Sequence, residues 1–343
     1  MGSDPVRVGV AGLGYWGPNI ARNLDAIGGC ELAWCCDSDP AARERWRPAF
    51  PNASFAAELG ELLADEALDA VAIATPVPTH APLAEAVLTA GKHCLVEKPL
   101  AQDVTAAERV AALAAERSLV LMAGHLLEYH PGVERLAQLV EAGELGGVHY
   151  VYSQRVNLGK LRADENALWS LGAHDVSVVL ALVREAPIEV SAKGEAYLRE
   201  GVEDVVFAYL RFPSGIAAHL HLSWLDPHKE RRITVVGSQR MATLDDMELE
   251  RKLTVYDKGF DPDFRSYGEY ITRSGAAWSP AIANTEPLRI ECEHFVECVR
   301  SGAPPRSDGD SGVRVVRVLE ALQSSLDSGG ASVELAAQGG AAA

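Results

Sequence analysis

Residues 6–17 read VRVGVAGLGYWG, and this stretch decides the fold. An apolar run is followed by the pattern G-x-G-x-x-G, whose glycines are Gly12, Gly14 and Gly17. The apolar run, Val6–Ala11, predicts a buried strand, and the pattern of residues 18–27 predicts a helix. A glycine turn at such a junction permits a tight bend, close approach of a pyrophosphate and close packing of the helix on the strand. The stretch therefore predicts the start of a dinucleotide-binding fold.

Further apolar runs alternate with helical patterns through the first third of the chain. These runs are Glu31–Cys36, Ala70–Ala74, Cys94–Val96 and Leu119–Ala123. Strands separated by helices pair in parallel and are covered on both faces. We therefore expect an α/β protein whose first domain, residues 1–123, is a doubly wound parallel sheet of the Rossmann type.

Asp37 stands at the end of the second predicted strand, well after the glycine turn. A carboxylate at this position accepts hydrogen bonds from the adenosine ribose and repels the 2′-phosphate of NADP. We therefore predict that the cofactor is NAD. An acidic helix cap before Pro40 is a second role for this region, and it is compatible with the first.

The sequence pattern changes after residue 124. A helix is predicted after Pro131, and later segments alternate apolar with polar residues, which is typical of half-buried strands. These segments are Glu189–Ala196, Val205–Phe212, Ile216–Trp224, Arg232–Val236 and Leu253–Tyr256. We expect residues 124–285 to form an α+β domain with a mostly antiparallel open sheet, used for substrate binding and oligomerisation.

Two late helical patterns, Leu288–Arg300 and Val313–Leu326, follow the predicted sheet. We expect residues 286–327 to pack back across the domain junction. Residues 328–343 are rich in alanine and glycine and have no periodic pattern, so a flexible tail is predicted.

Composition limits the classes of partner. The chain of 343 residues has a formal net charge of −17, which argues against a nucleic-acid partner. It has no apolar run long enough for a membrane span and no signal-peptide pattern at its start. Its six cysteines form no C-x-x-C pattern, which favours buried free thiols in a reducing compartment. We expect a cytoplasmic protein with neither a nucleic-acid nor a membrane partner.

Two tripeptides end predicted parallel strands, ATP at residues 74–76 and EKP at residues 97–99. Both lie at carboxyl ends of strands, where open α/β sheets bind their ligands. With the glycine turn and Gly124-His125, they make the chain resemble the glucose–fructose oxidoreductase/inositol dehydrogenase (Gfo/Idh/MocA) family over nearly its whole length. Residues 154–160 (QRVNLGK), 165–170 (ENALWS) and 173–175 (AHD) are similar to the nucleotide-sugar 3-dehydrogenases of that family, typified by those acting on UDP-N-acetylglucosaminuronate.

The resemblance implies that Lys98 and His174 are the catalytic residues. A desolvated ammonium has a lowered pKa and can exchange a proton with a hydroxyl, and an imidazole titrates near neutrality. A salt bridge between Lys98 and Glu97, and a helix-capping or buried His174, are the structural alternatives. Many members of the family have Asp four residues before this histidine, where this chain has Ser170, which weakens the case for an Asp–His dyad. The adjacent Asp175 is expected to be structural.

The resemblance also implies the residues of the two binding sites. Those for the cofactor are Gly12, Gly14, Tyr15, Trp16, Gly17, Asp37, Ser38, Thr75, Pro76, His80, Glu97 and Lys98. Those for the substrate are Lys98, Tyr129, Arg155, Asn157, Lys160, Trp169 and His174. A solvated strand and loop position is an equal alternative for Arg155, Asn157 and Lys160.

His219 and His221 share one face of a predicted strand. A pair of imidazoles can bind a metal, but no cysteine or carboxylate cluster accompanies this pair. We therefore predict no metal site, and expect an oligomer interface or a solvated sheet face. The second domain has an open sheet face that needs cover, so a homo-oligomer, dimer or tetramer, is expected.

The predicted activity is NAD-dependent oxidation of a sugar ring hydroxyl to a ketone. The resemblance implies the 3-hydroxyl of an amino or N-acetylated sugar, carried on a nucleotide, in a sugar or antibiotic biosynthetic pathway. A 3-keto product is a natural substrate for a transaminase. The alternatives are an aminoglycoside intermediate, a cyclitol or a free sugar as substrate, and a protein that senses NAD(H) without catalysis.

Overall fold

A computed structural model describes residues 4–159, 165–266 and 269–335. They divide into two units. The first contains the described residues up to Tyr129 together with Thr285–Arg317, and the second contains those from His130 to Asn284 and from Val318 onward. Both units bring residues that are distant in the sequence into one fold.

The first unit is built on a six-stranded parallel sheet. Its strands are β1 (Val6–Ala11), β2 (Cys30–Cys36), β3 (Ser54–Ala56), β4 (Ala70–Ile73), β5 (His93–Glu97) and β6 (Leu121–Gly124). Their order is β3-β2-β1-β4-β5-β6, the doubly wound order that reverses direction between β1 and β4. The predicted Rossmann sheet is confirmed. The three-residue β3 was not predicted, because it is too short to show a period.

Helices cover the parallel sheet. They are α1 (Gly17–Ala26), α2 (Pro40–Trp46), α3 (Leu59–Leu63), α4 (His80–Thr89) and α5 (Val104–Glu116). Val8, Val10 and Ala72 on the central strands are fully buried, which explains why these strands are continuous apolar runs. The carboxyl ends of β1 and β4 lie side by side, with Ala11 opposite Ile73, so the loops that follow them are neighbours.

The second unit is built on a nine-stranded sheet. Its strands are β7 (Val148–Leu158), β8 (Glu189–Glu195), β9 (Val205–Arg211), β10 (Ala217–Ser223), β11 (Leu225–Gly237), β12 (Met241–Asp245), β13 (Leu253–Ser266), β14 (Glu269–Trp278) and β15 (Val333–Glu334). The order is β14-β13-β12-β11-β7-β10-β9-β8-β15. β7 and β10 pair in parallel, and the other neighbours are antiparallel. The predicted mostly antiparallel sheet is confirmed.

Helices α6 (Pro131–Glu141) and α7 (Ala173–Val183) belong to this second unit. A π-helical turn, Leu168–Gly172, leads directly into α7. Leu220 and Leu222 of β10 are buried, and Gly172 of the π-helical turn lies against Leu222. The strict alternation of β10 therefore belongs to a half-buried strand, as predicted, and the π-helical turn covers its apolar face.

The two late helices are α8 (Pro287–Ser301) and α9 (Gly309–Asp327). Leu288, Cys292 and Phe295 of α8 are buried in the same hydrophobic core as β1. α9 begins among the residues of the first unit and ends among those of the second. Within the described ranges, no helix has the length and apolar character needed to cross a membrane.

The prediction of a flexible tail from residue 328 is wrong for its first part. β15 pairs with β8, Val333 standing opposite Val190, and the Leu335 N–H donates to the carbonyl of Ile188. A two-residue strand has no readable period, but an open sheet edge gives its backbone groups partners. The predicted tail beyond Leu335 lies outside the described residues.

Candidate active site

The glycine turn at the end of β1 has the shape that a dinucleotide requires. Gly12 has φ of +94°, and a Cβ at Gly17 would lie 1.7 Å from the Gly12 carbonyl oxygen. Gly14, by contrast, has no atom within 4 Å of the place where its Cβ would lie. Two glycines thus make the turn possible, and the third leaves open space beside the backbone. Among the described residues no side chain caps the first turn of α1. Pro18 has no N–H there and the Asn19 N–H donates to the Trp16 carbonyl, so the donors that suit a phosphate are the Gly17 N–H and those of the glycine turn.

Asp37 is fixed against this turn. Its carboxylate accepts hydrogen bonds from the N–H of Leu13 at 2.6 Å and from the N–H of Asp39 at 2.8 Å. Each carboxylate oxygen retains acceptor capacity, which suits the two hydroxyls of an adenosine ribose. Asp39, rather than Asp37, caps α2 by accepting from the Ala41 N–H. The residues present therefore fit NAD.

His80 has a different position from the predicted cofactor contact. Its ring is buried, with Nδ1 at 2.8 Å from the Pro99 carbonyl and Nε2 at 2.9 Å from the Thr75 carbonyl. Burial lowers the pKa of His80, although both carbonyls oppose this change. We correct the prediction: both ring nitrogens face protein carbonyls, so His80 ties the loop after β4 to the loop after β5. The backbone N of Thr75 lies beside Gly12 of the glycine turn, and Pro76 is exposed; the cofactor contacts of both residues stay predictions.

Lys98 follows β5 directly and is partly buried. Its backbone N–H donates to Oε2 of Glu97 at 3.3 Å. Burial raises the pKa of Glu97 to about 7, and the positive charge of Lys98 opposes this rise. The catalytic role of Lys98 and the cofactor contact of Glu97 stay predictions.

Tyr129 is fully buried, which corrects its prediction as a substrate contact. Its hydroxyl lies 2.8 Å from Oγ of Ser307, which in turn donates to the Ala123 carbonyl. The Tyr129 side chain therefore joins the end of β6 to the segment before α9, and none of it is open to a ligand. A motif shows residue types but not burial, so the sequence could not separate these roles.

His174 lies in the first turn of α7, in the second unit, and is partly exposed. Ser170 stands four residues before His174, which in a regular α-helix is about one turn. The intervening Leu168–Gly172 is π-helical, so α-helical spacing does not apply across it. Single π-helical turns occur often at functional sites. The catalytic role of His174 stays a prediction.

Arg155 is buried in an ion pair, which corrects its prediction as a substrate contact. Its Nε donates to the carboxylate of Asp175, and Ser153 Oγ donates to the other oxygen of the same carboxylate. Asp175 is 1% exposed and immediately follows His174. The pair therefore attaches the first turn of α7 to β7, and Asp175 is structural, as predicted.

Trp169 is held by a hydrogen-bond network at the start of the π-helical turn. Its indole N–H donates to Oε1 of Gln323, and its backbone N–H donates to Oδ1 of Asn166. Asn166 donates in turn to Gln323 and to Glu203. Trp169 is partly exposed and remains a predicted substrate contact.

Asn157 is partly exposed near the end of β7, and its side chain lies against Gly159. It also remains a predicted substrate contact. Lys160 lies outside the described residues. No group of three or more His, Cys, Asp or Glu in the described ranges is arranged to hold a metal ion.

Two family models match the chain. One is described as an oxidoreductase family with an NAD-binding Rossmann fold and matches residues 6–125. The other is described as the GFO/IDH/MocA C-terminal domain and matches residues 133–243. The UDP-N-acetylglucosamine 3-dehydrogenase of Acidithiobacillus ferrooxidans is 32% identical over 318 residues, covering 91% of this chain and 94% of that protein. The chain belongs to the Gfo/Idh/MocA oxidoreductase family.

Solved structures and a further curated relative match the chain over both units. The Acidithiobacillus ferrooxidans enzyme gives a TM-score of 0.81 at 28% identity, covering 94% of this chain and 98% of that one. GenD2 from gentamicin A biosynthesis, solved with NAD, gives a TM-score of 0.82 at 28% identity. The match covers 98% of this chain and 97% of GenD2. Inositol 2-dehydrogenase 2 of Paenarthrobacter aurescens is 28% identical, covering 96% of this chain and 99% of that protein.

Membership in the Gfo/Idh/MocA family makes this protein an oxidoreductase with an NAD-binding Rossmann domain. The prediction of the family is confirmed, and so are the predicted enzyme class and the NAD cofactor. The sequence missed the buried pair of Arg155 with Asp175 and a buried group of ionisable residues around Glu291. Glu128 and Glu291 belong to none of the motifs, and His125 was noted only as part of Gly124-His125, so burial is what shows that these residues form a group.

Proposed function

We propose that this protein oxidises the 3-hydroxyl of an amino or N-acetylated sugar to a ketone, and that the sugar is carried by a nucleoside diphosphate. The observation that carries the proposal is similarity over 91% of the chain to a UDP-N-acetylglucosamine 3-dehydrogenase. Lys98 after β5 and His174 in the first turn of α7 supply the ionisable groups that such a reaction needs.

NAD+, when bound, accepts the hydride from the sugar carbon, which is the cofactor's own chemistry. The chain's residues do the rest. The glycine turn and the first turn of α1 bind the pyrophosphate, and Asp37 orients the adenosine ribose. Lys98 binds the reacting hydroxyl and exchanges its proton, and His174 assists the removal of that proton. The ketone product suits a transaminase in a sugar or antibiotic biosynthetic pathway.

A second substrate class has a specific observation in its favour. The structure of GenD2, of gentamicin A biosynthesis, matches 98% of this chain, and that of the UDP-N-acetylglucosamine 3-dehydrogenase matches 94%. An aminoglycoside intermediate, with its amino-substituted rings, is therefore the second candidate, followed by a cyclitol or a free sugar.

The proposal is tested by following NADH absorbance with UDP-sugars, free amino sugars and aminoglycoside intermediates. We expect NADH with UDP-N-acetylglucosamine or its uronate, and a thermal shift on binding either. Lys98→Met and His174→Gln should each lower kcat at least about 100-fold. His228 and Lys229 are adjacent, exposed residues of β11. His228→Gln and Lys229→Met are therefore the matched control variants, and both should keep the wild-type kcat. Absence of both a thermal shift and NADH with every nucleotide sugar would exclude the first candidate.

We also propose that the protein is a homo-oligomer that associates through the uncovered face of the nine-stranded sheet. Phe207 is 56% exposed on β9 and stacks on His221, and Tyr152 stacks on His219. An exposed aromatic patch of this kind marks an interaction surface. A second copy supplies an identical patch, as a two-fold interface requires.

A further inference from the structure

The first unit buries an unusual group of ionisable side chains near Lys98. Glu291 of α8 is 1% exposed, Glu128 is 7% exposed, and His125 is fully buried. Glu97, which precedes Lys98, stands opposite Gly124, the residue before His125. A carboxylate loses several kcal/mol of hydration when it is buried without partners, so a fold does not accumulate such groups for stability.

Backbone geometry brings the group together. β5 and β6 run side by side, and a Cβ at Gly124 would lie 3.1 Å from the Cα of Glu97. After β6 the chain turns, with the Glu128 N–H donating to the His125 carbonyl at 2.9 Å. α8, which carries the buried Glu291, packs against this turn, Leu126–Tyr129.

Several polar atoms in this group lack protein partners. Neither ring nitrogen of His125 nor Oε1 of Glu291 has a hydrogen-bond partner among the described residues. Buried polar atoms are almost always satisfied, and where protein groups do not satisfy them, ordered water does. The group therefore has the chemistry of a buried, water-bridged polar site.

The group has one end at Lys98 and the other end at the surface. The backbone N–H of Lys98 donates to Oε2 of Glu97 at 3.3 Å, and the side-chain charge of Lys98 acts on the pKa of the Glu97 carboxyl, opposing the rise that burial causes. At the far end, the carbonyl of Glu128 accepts from Nη1 of the exposed Arg306 at 2.6 Å. Glu291 lies within electrostatic reach of both Glu97 and Glu128.

We propose that Glu97, Glu291 and Glu128, bridged by buried water beside His125, form a proton path from Lys98 to solvent near Arg306. The proposal rests on the function proposed above, in which Lys98 takes the substrate hydroxyl proton. The neutral amine of Lys98 becomes an ammonium and passes the proton to the Glu97 carboxylate. Glu291 accepts a proton while releasing its own toward Glu128, which releases one to water. Each step breaks one N–H or O–H bond and forms another, and no electrons are exchanged.

The ionisation of the group supports this path. Burial raises the pKa of Glu128 to about 8 and that of Glu291 well above its ordinary range, so both hold protons that can be passed on. Burial and the charge of Lys98 lower the pKa of His125 to about 3, leaving a neutral ring that can donate and accept. The other groups that face the three carboxyls are Arg306, Asp308, Arg314, Tyr129 and Cys292.

The first test compares Glu291→Gln with Glu293→Gln, an exposed position on the same helix. With NAD+ and UDP-N-acetylglucosamine, we expect Glu291→Gln to lower kcat at least about tenfold, with an unchanged KM for NAD+. Its solvent deuterium isotope effect on kcat should rise and its pH profile should change, because proton release becomes slow. Glu293→Gln should match the wild type. A Glu291→Gln enzyme with wild-type kcat, pH profile and isotope effect would overturn the path.

The second test needs no substrate, so it separates failure of the path from failure of the sugar assignment. At neutral pH, the infrared spectrum of the protein with NADH should contain the carbonyl band of a protonated carboxylic acid. Glu291→Gln should weaken this band, and Glu293→Gln should not. If Glu291→Gln does not fold, Glu128→Gln takes its place with the same expectation. Absence of the band in the wild type would show that the carboxyls are ionised and would overturn the proposal even if no sugar is turned over.

Discussion

At the scale of single residues, the three glycines of the G-x-G-x-x-G turn have unequal roles. A Cβ at Gly17 would collide with the Gly12 carbonyl, whereas a Cβ at Gly14 would enter open space. We predict that Gly17→Ala lowers both the melting temperature and the affinity for NADH. Gly14→Ala should keep the melting temperature and weaken NADH binding, because the methyl group occupies the place of the pyrophosphate.

Thermal unfolding together with titration of NADH fluorescence measures both effects of the glycine variants. Equal losses of stability in the two variants would contradict this division of roles. So would full NADH affinity in Gly14→Ala.

Asp37 is the second residue with a separable role, the choice between NAD and NADP. Asp37→Asn keeps the side-chain shape and removes the charge that repels a 2′-phosphate. We expect the ratio of kcat/KM for NAD to that for NADP to fall at least about tenfold, or about 1.4 kcal/mol. Asp39→Asn, two residues away, is the control and should leave the ratio unchanged. An unchanged ratio in Asp37→Asn would show that another residue selects the cofactor.

Residue roles were also the hardest part of the protein to predict. The sequence located the glycine turn and Asp37, whose geometry follows from local backbone. It assigned Tyr129, His80 and Arg155 to ligands, but all three are buried and bonded to protein groups. A polar side chain in a motif looks the same whether it faces a ligand or a buried carbonyl, so spacing alone cannot separate the two.

At the scale of elements, the buried pair of Arg155 with Asp175 attaches α7 to β7. Removing one partner leaves the other charge buried, which costs about 3–5 kcal/mol of unfolding free energy. We predict a loss of that order for Asp175→Ala in urea unfolding, together with lower kcat, because His174 is the preceding residue. The exposed pair of Arg184 with Glu141 supplies the control, Glu141→Ala, which should change stability by less than about 1 kcal/mol. Equal effects of the two variants would contradict the structural role of Asp175.

The buried carboxyl of Glu128, in the turn after β6, should make the stability of the protein depend on pH in an unusual way. The pKa of Glu128 is raised from 4.5 to about 8, with burial as the main cause. Between these two values the unfolded chain releases its proton while the native state keeps it. The native state is therefore favoured at low pH, and stability falls as pH rises through this window.

Urea unfolding across this window measures the effect. Glu128→Gln cannot ionise, so its stability should fall less steeply with rising pH than that of the wild type. The exposed Glu116→Gln in α5 is the control and should follow the wild type. A Glu128→Gln profile parallel to that of the wild type would show that this carboxyl is ionised in the native state.

Element boundaries could be predicted where one apolar pattern continues without interruption through the whole element. β1 was predicted with the bounds it has, and the helix predicted at Leu288–Arg300 is found as Pro287–Ser301. No bounds were predicted for β7, although a strand and loop position was an alternative for Arg155 and Asn157, and the strand predicted at Leu253–Tyr256 continues to Ser266. β7 owes its length to pairing with β10 and β11, which are distant in the sequence, and a local pattern does not contain such partners. The extension of β13 pairs with β14, the next strand of the chain, and no apolar alternation marks it.

At the scale of the whole molecule, the exposed aromatic face of the nine-stranded sheet is the surface where we propose that a second copy binds. We predict that light scattering finds a homo-oligomer, and that Phe207→Glu lowers its mass by placing a charge in the interface. Leu249→Glu, at a residue that is 93% exposed outside the sheet, is the control. A monomeric wild type would contradict self-association, and an unchanged mass in Phe207→Glu would exclude this face.

The central claim is that the family's chemistry acts here on carbon 3 of a nucleotide-linked amino sugar. The most direct measurement supplies UDP-N-acetylglucosamine deuterated at carbon 3 with NAD+ and analyses the reduced cofactor by mass spectrometry. We predict that the deuterium is found in the NADH formed by the wild type, and that Lys98→Met forms at most traces. NADH without deuterium, or no NADH from any UDP-sugar while an aminoglycoside intermediate is oxidised, would contradict the claim.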